Sequence, residues 1–523
     1  SVVGNQITES LPQYIIDKYS FLSKAHAYYH IHFPSDNQLL GKAKARLKYE
    51  ELFFIQLKLF SEKTIKQNTY KGHYFGKTAL LTEYYNNHLP FDLTNAQKRV
   101  VKEIRINLKN GQQMNRLLQG DVGSGKTLVG LLAMLIAIDN DYQSAIMAPT
   151  EILAIQHYET IQGFLKNSKI KVSLLTGSTK KSERKIIHEE LLSGDLHILI
   201  GTHALLEDIV QFKNLGLAII DEQHRFGVKQ RSKLWKKNVI PPHILVMTAT
   251  PIPRTLAMTV YGDLDISVID ELPPGRKEIK TLHKYDSHRI TVFGFMEKQI
   301  AEGRQIYVVY PLIDESETLD FKDLMDGYES ISRRFPLPKY KISIVHGKMK
   351  AKDKEYEMRQ FAEGKTQILV ATTVIEVGVN VPNASVMVIE SANKFGLSQL
   401  HQLRGRVGRG GNQSYCILMT DYKLSQTAKT RIDTMVRTNN GFEIAEEDLK
   451  LRGPGDIMGT QQSGILDLKL GDLIKDNKLV LVARNKASEL LKKDPNLELQ
   501  EHFLIRQHLA DLIRKKPNWG RIS

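Results

Sequence analysis

The stretch Gly120-Asp121-Val122-Gly123-Ser124-Gly125-Lys126-Thr127 decides how the rest of this 523-residue chain is read. It fits G-x-x-x-x-G-K-[ST], the phosphate-binding loop. Its three glycines let the backbone turn tightly and aim N–H groups at phosphate oxygens. Lys126 is long enough to reach the β- and γ-phosphates, and the Thr127 hydroxyl can ligate Mg²⁺. The flanks agree with the motif. Arg116-Leu117-Leu118-Gln119 reads as a short strand entering the loop, and Leu128 to Ile138 is an apolar helical run. A helix N-terminus then sits under the phosphates.

Downstream, apolar strands alternate with helices as far as about residue 275. Ser144–Thr150, Lys171–Gly177, His197–His203, Leu217–His224 and Ile244–Thr250 each read as a strand running into a polar tail. Such alternation predicts a parallel sheet covered by helices, with ligands held at the strands' C-terminal ends. Asp221-Glu222 closes the fourth of these strands. A carboxylate there can hold Mg²⁺, so Thr127 and Asp221 are the expected metal residues, and Glu222 can orient or deprotonate an attacking water. Upstream, Thr94 is a plausible N-cap. Gln97 then falls in the first helical turn, where its amide can pair with adenine N6 and N7, and Phe91 can pack nearby. By itself that segment reads better as a capped surface helix. Beside a phosphate loop it makes ATP the expected nucleotide.

A second alternating unit runs from about 280 to 425, with strands at Gln305–Tyr310, Lys341–His346, Gln367–Thr373, Val386–Glu390 and Tyr415–Met419. It has no phosphate loop. It carries Gln402-Leu403-Arg404-Gly405-Arg406-Val407-Gly408-Arg409 instead. Always-charged, planar guanidinium groups suit a triphosphate approached from a neighbouring domain, and equally suit a basic nucleic-acid patch. The formal charge of +15, from 73 Lys+Arg against 58 Asp+Glu, favours a polyanionic partner, although solvated lysines on many helices would also produce it. The one cysteine, Cys416, lies in an apolar run, which excludes disulfides and cysteine-based zinc sites. No signal peptide or bilayer-length apolar run is present, which makes a cytoplasmic protein the expectation.

These motifs together resemble a superfamily 2 helicase motor and, more narrowly, the RecG branch-migrating DNA helicases. The resemblance rests on Gly120–Thr127, Ala148-Pro149-Thr150-Glu151, Gly201-Thr202-His203, Asp221–His224 with Arg225-Phe226-Gly227, Thr248–Pro251 with Arg254-Thr255, Leu272–Arg276, Ala371–Val379 and Gln402–Gly410. It covers about residues 10 to 515. Asp-Glu-Gln-His followed by Arg-Phe-Gly is much more specific than a phosphate loop, and the transcription–repair coupling translocases normally read Asp-Glu-Glu-Gln there. After the motor, Gly441–Gly455 and Gly459–Gly464 resemble the family's translocation motif, a helical hairpin and loop.

The resemblance implies an α/β fold of tandem RecA-like domains, at 86–278 and 279–430. A helical linker at 1–85 precedes them and a mostly helical translocation region at 431–523 follows. It implies an ATP hydrolase driving movement on duplex and branched DNA, in recombination and repair. Lys126, Asp221, Glu222, Gln402, Arg406 and Arg409 are the expected catalytic residues. DNA backbone contacts are expected from Thr150, Gly177, Thr202 and Thr372, and coupling from Thr248, Thr250, Arg431, Arg452 and Gln462, with Arg431 holding Gln462. A monomer is expected, with a single-stranded-DNA-binding protein as a family-level partner. The competing readings are an RNA helicase on the same motor, a transcription–repair coupling translocase, and a non-catalytic clamp with a vestigial motor. Three departures stand out. Gln461 replaces a usual arginine, Asn380 replaces a usual aspartate, and no run of short β-strands precedes the linker, so the family's N-terminal wedge is expected to be missing.

Overall fold

The structure is a computed structural model that describes residues 7–69, 71–222, 237–238, 240–249, 252–253, 256–257, 264–273, 275–311, 317–372, 381–452, 468–473 and 475–515. Its contacts divide the chain into two units. One comprises residues 72–251 and 267–451, and the other residues 1–71, 252–266 and 452–523.

The first unit contains two parallel sheets. In the first sheet, β1 (Asn115–Gly120), β2 (Gln143–Met147), β3 (Val172–Leu175), β4 (Ile198–Gly201), β5 (Leu215–Asp221), β6 (His243–Thr248) and β7 (Asp265–Ile269) lie in the order β3-β4-β2-β5-β6-β1-β7. The pairings from β3 through to β1 are all parallel. Helices on both faces require strands that are apolar throughout. β2, β5 and β6 meet that requirement, being buried along their whole lengths. The helix Lys126–Asp139 supplies much of the covering core through Leu128, Val129, Leu131, Leu132, Leu135 and Ile136.

The second sheet holds β8 (Lys280–Tyr285), β9 (Gln305–Val309), β10 (Ile342–Val345), β11 (Ile368–Ala371), β12 (Ala384–Ile389) and β13 (Tyr415–Thr420), in the order β10-β11-β9-β12-β13-β8. Every pairing in it is parallel. Tyr307, Val309, Leu369, Met387 and Leu418 pack one core with the helix Leu397–Arg404, while Ile306, Val308, Val370 and Val388 pack another beneath the opposite face. Both sheets are RecA-like. Cys416 is fully buried on β13, and burial pushes its thiol up to about 12.

The sequence pattern did not announce β7 or β8. Each is an edge strand, and the Lys280–Tyr285 segment mixes Lys280, His283 and Lys284 with less polar residues, so neither forms the continuous apolar run that marks a central strand.

The second unit is helical. The helix Asn37–Thr69 runs along Asn477–Lys493. Arg46 is fully buried and is neutralised by Glu9 and Glu50, each at 2.5 Å. Glu51 accepts the backbone N–H groups of Lys469, Leu470 and Gly471, and Arg484 lies 4.6 Å over the Phe60 ring. Among the described residues no helix is long and apolar enough to cross a membrane.

Candidate active site

The phosphate loop leaves β1 and enters the helix Lys126–Asp139 through Gly123 and Gly125, which have φ of +79° and +89°. The left-handed turn at Gly125 brings its Cα against Gln97, so that a Cβ there would collide with the Gln97 Nε2. Gln97 is itself fixed from two sides. Its Oε1 accepts the Thr94 N–H at 3.0 Å and its Nε2 donates to the Ser124 carbonyl at 2.9 Å. Thr94 completes a capping box for the helix Asn95–Leu108. The expected cap and the expected adenine reader are therefore one assembly joined to the loop, with a second N–H and a second lone pair of the Gln97 amide uncommitted by these bonds.

A cavity of about 860 Å³ opens over this loop. That lies within the roughly 300–1,000 Å³ of small-molecule sites. Val122, Gly123, Gly125, Lys126 and Thr127 line it from the loop, and Phe91 and Gln97 from the segment upstream. Asp221 and Glu222 enter from β5, and Gln402, Arg406 and Arg409 from the second sheet. The Gly120 and Ser124 side positions face each other within the loop, where a Gly120 Cβ would crowd the Ser124 Oγ. The Asp121 side chain is turned to His401 and Gly441.

Lys126 Nζ donates to the carbonyls of Gly120 at 2.7 Å and Asp121 at 3.0 Å. Burial lowers its pKa, while the facing carboxylates Glu222, Asp221 and Asp121 oppose the fall. The two β5 carboxylates diverge. Burial works to raise Asp221, but the hydrogen bond from His157 Nε2 at 2.8 Å and the charges of His157 and Lys126 hold it below the usual range. Glu222 is raised, first by burial and then by Asp221 beside it. Carboxylates pushed apart in this way take different roles, one staying ionised and the other becoming able to take up a proton. Glu222 adopts a left-handed φ of +52°. Its Oε1 accepts the Ala249 N–H at 3.1 Å, and its Oε2 the Thr248 hydroxyl at 3.3 Å. Since β6 lies between β5 and β1, Thr248 falls between the carboxylate pair and the phosphate loop.

On the opposite wall, Arg409 is half-buried, and its buried Nε has no acceptor among the described residues. Burial, and then the charge of Arg406, pushes its guanidinium down to about 9. Arg276 joins the two walls, with Nη1 donating to the Val122 carbonyl at 2.5 Å and Nε to the Gly408 carbonyl at 3.0 Å. A cavity walled by Lys126, Arg276, Arg406 and Arg409 suits a polyanion. Thr127, at the start of its helix, and the ionised Asp221 are oxygen donors of the type Mg²⁺ takes.

Sequence reasoning quoted Arg276 within a motif without giving it a role, and it missed His157 altogether. No local signal marks His157, because its partner lies 64 residues further along the chain. The expected DNA contacts Thr150, Gly177 and Thr202 follow β2, β3 and β4, three adjacent strands, and so share one rim of the first sheet. Thr150 caps the helix Glu151–Phe164, and Gly177 has open space above its Cα. Thr372 follows β11, and its buried hydroxyl has no partner among the described residues. Arg431 donates to the Phe395 carbonyl at 2.8 Å. Arg452 ends the helix Gly441–Arg452. Thr250 and Gln462, and with Gln462 the expected Arg431 pairing, lie outside the described residues.

Comparison with known proteins places three family models on the chain. These are the DEAD/DEAH box helicase at residues 94–259, the helicase conserved C-terminal domain at 289–411, and ATP-dependent DNA helicase RecG, domain 3, C-terminal, at 438–523. The ATP-dependent DNA helicase RecG of Synechocystis is 47% identical over 501 residues, covering 96% of this chain and 60% of that protein. That of Bacillus subtilis is 46% identical over 510 residues, covering 96% and 74%. A solved structure of RecG bound to a three-way DNA junction is 44% identical with a TM-score of 0.73, covering 91% of this chain and 62% of that one. The chain thus spans roughly three fifths to three quarters of the length of these relatives.

Proposed function

Because the chain belongs to the RecG family of ATP-dependent DNA helicases, we propose that it hydrolyses ATP to move along double-stranded DNA and remodel branched DNA such as stalled forks and four-way junctions. The observation that carries this reading is the single cavity to which one sheet brings a phosphate loop and a carboxylate pair, and the other brings Gln402, Arg406 and Arg409. An ATPase with its site on one domain would not need the second wall.

In this reading Phe91 and Gln97 hold the adenine. The loop N–H groups and Lys126 hold the phosphates, Lys126 leaving the carbonyls of Gly120 and Asp121 to do so. Thr127 and Asp221 would hold Mg²⁺, which when bound neutralises phosphate charge. His157 keeps Asp221 oriented and ionised. Glu222 orients the attacking water and accepts its proton, a task its raised pKa favours. Arg406 and Arg409 stabilise charge developing on the transferred phosphoryl, a role worth about 10³–10⁵ in rate where it has been measured. Thr248, touching Glu222, passes the state of the γ-phosphate toward the DNA rim. Thr150, Gly177, Thr202 and Thr372 contact the DNA backbone, which fixes position without reading sequence. Arg431, Arg452 and Gln462, with Thr250, couple closure to movement. We place the protein in the bacterial cytoplasm, acting as a monomer and meeting a single-stranded-DNA-binding protein there.

The test is steady-state ATP turnover with linear duplex, single-stranded, forked and four-way-junction DNA, and with RNA, alongside Lys126→Ala and Glu222→Gln. Stimulation by duplex or branched DNA is expected, with Lys126→Ala inactive and Glu222→Gln binding ATP without turning it over. Stimulation by RNA alone, or turnover near the parent rate in either variant, would overturn the reading.

A further inference from the structure

Asp121 is the phosphate-loop residue whose behaviour the ATP site leaves unexplained. Its carboxylate is mostly buried and faces elements of the second sheet's domain. Oδ1 lies 3.0 Å from His401 Nε2, and Oδ2 accepts the Gly441 N–H at 3.3 Å. His401 is on the helix Leu397–Arg404 and is itself held from behind, its Nδ1 lying 3.1 Å from Arg404 Nη2. A guanidinium can only donate, so Nδ1 must accept and the ring proton must sit on Nε2, aimed at Asp121. The fully buried Arg404 also donates through Nη1 to the carbonyls of Met435 and Thr438, both at 2.9 Å.

These bonds converge on one turn. Met435 and Thr438 lie at the C-terminal end of the helix Gln426–Arg437, where a cation is favoured. Gly441 opens the helix Gly441–Arg452, where an anion is favoured. Arg404 thus holds the carbonyl side of the elbow 438–440, Asp121 holds its amide side, and His401 joins the two. Asn440 Oδ1 accepts Phe442 N at 2.9 Å, capping the second helix next to Gly441. Ser398 Oγ, on the same helix as His401, donates to Asp448 at 2.8 Å, about two turns beyond Gly441. At the other end of the chain of contacts, Lys126 Nζ rests on the Asp121 carbonyl. That is the contact the ammonium gives up on turning to a phosphate.

We propose that Asp121, through His401 and Arg404, is a positioning residue that ties the phosphate loop to the elbow between the helices Gln426–Arg437 and Gly441–Arg452, so that nucleotide occupancy sets the stance of the second helix. The inference rests on the reading of the chain as an ATP-driven DNA motor, because it names the route by which the phosphate site acts on the segment beginning at Gly441. It assigns the Asp121 carboxylate no contact with nucleotide.

Two measurements test it. The first compares parent, His401→Leu and His401→Gln for ATP turnover and for DNA fork strands separated per ATP hydrolysed. His401→Leu removes the N–H facing Asp121, whereas the amide of His401→Gln can restore a donor there. His401→Leu is expected to keep kcat within about threefold of the parent while losing at least tenfold in strands separated per ATP, with His401→Gln recovering most of that loss. Unchanged separation per ATP in His401→Leu overturns the proposal, as does an equal loss in both variants, which would make the ring a packing element only. The second measurement needs no DNA. Amide hydrogen exchange at residues 441–443 is followed in the parent and in His401→Leu, with and without a non-hydrolysable ATP analogue and Mg²⁺. A nucleotide-dependent change of at least fivefold in the parent, absent in His401→Leu, supports the tie. No change in the parent overturns it. If the parent binds the analogue and shows the exchange change but does not move on DNA, the motor reading fails and the tie stands.

Discussion

The cavity holds a charge that the folded protein would be more stable without. Arg409 is half-buried, its buried Nε lacks an acceptor among the described residues, and Arg406 and Arg276 add like charge to it. Its guanidinium falls to about 9, roughly 3.5 pH units below the free group, and at about 1.4 kcal/mol per unit the charged form is penalised by about 5 kcal/mol. At pH 7 the group is below both values and protonated in the folded and unfolded chain alike, so the whole penalty falls on the native state. Arg409→Met keeps much of the side-chain volume and removes the charge. The gain will be smaller than the penalty, because packing around a new thioether is imperfect. Replacements of buried charge by apolar groups return about 1–4 kcal/mol. A rise of a few degrees in the melting temperature of the nucleotide-free protein is therefore expected, together with a loss of about 10³ or more in ATP turnover. Differential scanning fluorimetry and DNA-stimulated ATPase measure the two effects. A third reading separates a transition-state role from simple anchoring. ADP with aluminium fluoride should stabilise the parent far more than Arg409→Met, while ADP alone should stabilise both about equally. Arg409→Met melting below the parent, or turning ATP over within tenfold of it, would refute the reasoning.

Three further outcomes follow from single contacts. Gly125→Ala places a Cβ against the Gln97 amide at a φ of +89°, so nucleotide affinity measured by calorimetry should fall at least tenfold, whereas an unchanged affinity would separate Gln97 and the turn from the site. His243 accepts the Met114 N–H on Nδ1 and lies with Nε2 2.9 Å from the His73 carbonyl; burial lowers its pKa to about 4 against the opposing hydrogen bond to that carbonyl. The unfolded ring takes up its proton near 6.5 and the folded ring only near 4, so stability is complete above 6.5 and is lost as pH falls through this window, by about 3 kcal/mol at its foot. Urea unfolding of His243→Gln should therefore show a shallower pH dependence between 6.5 and 4 than the parent, and parallel profiles would contradict the assignment. Arg452→Ala should leave DNA-stimulated ATPase largely intact while fork unwinding falls away, and equal loss of both would argue against a separate coupling element.

What could be read from the chain alone was whatever is local. The phosphate loop, the Thr94 cap and the strands β2, β5 and β6 carry their identity in a few consecutive residues, because a buried parallel strand must be apolar on both faces. The edge strands β7 and β8 do not, since one side of each escapes the ladder and tolerates charge. Pairings across long separations were invisible for the same reason. Nothing near Asn37–Thr69 says that it runs along Asn477–Lys493, and nothing near Asp121 says that its carboxylate meets His401, 280 residues on. The phosphate-loop pattern is silent on that side chain. It marks Asp121 as one of eight neighbours of a nucleotide, whereas the side chain belongs to a different set of contacts.

Three departures from local rules meet at the cavity. Glu222 takes a left-handed φ without being glycine, the buried Nε of Arg409 has no acceptor among the described residues, and the half-buried Lys126 is held by two carbonyl oxygens. Left-handed backbone at a non-glycine residue costs about 1–3 kcal/mol, and a charged donor without an acceptor costs more. Such features persist only if the surroundings fix them, and here they do. Glu222 N–H is bonded to the Met247 carbonyl at 2.9 Å and its carboxylate to Ala249 and Thr248, while Arg276 spans the two walls through Val122 and Gly408. A polyanion entering the cavity would give the Arg409 guanidinium an acceptor and draw Lys126 off its carbonyls. The same event would therefore relieve unfavourable electrostatics on both sheets and change the contact at the Asp121 carbonyl. A motor needs a ligand whose binding is worth more in one arrangement of its domains than in another, because a ligand shifts a conformational equilibrium only by its differential affinity. Cations supplied by both walls provide that difference, since separating the walls would leave the anion with only half of its partners.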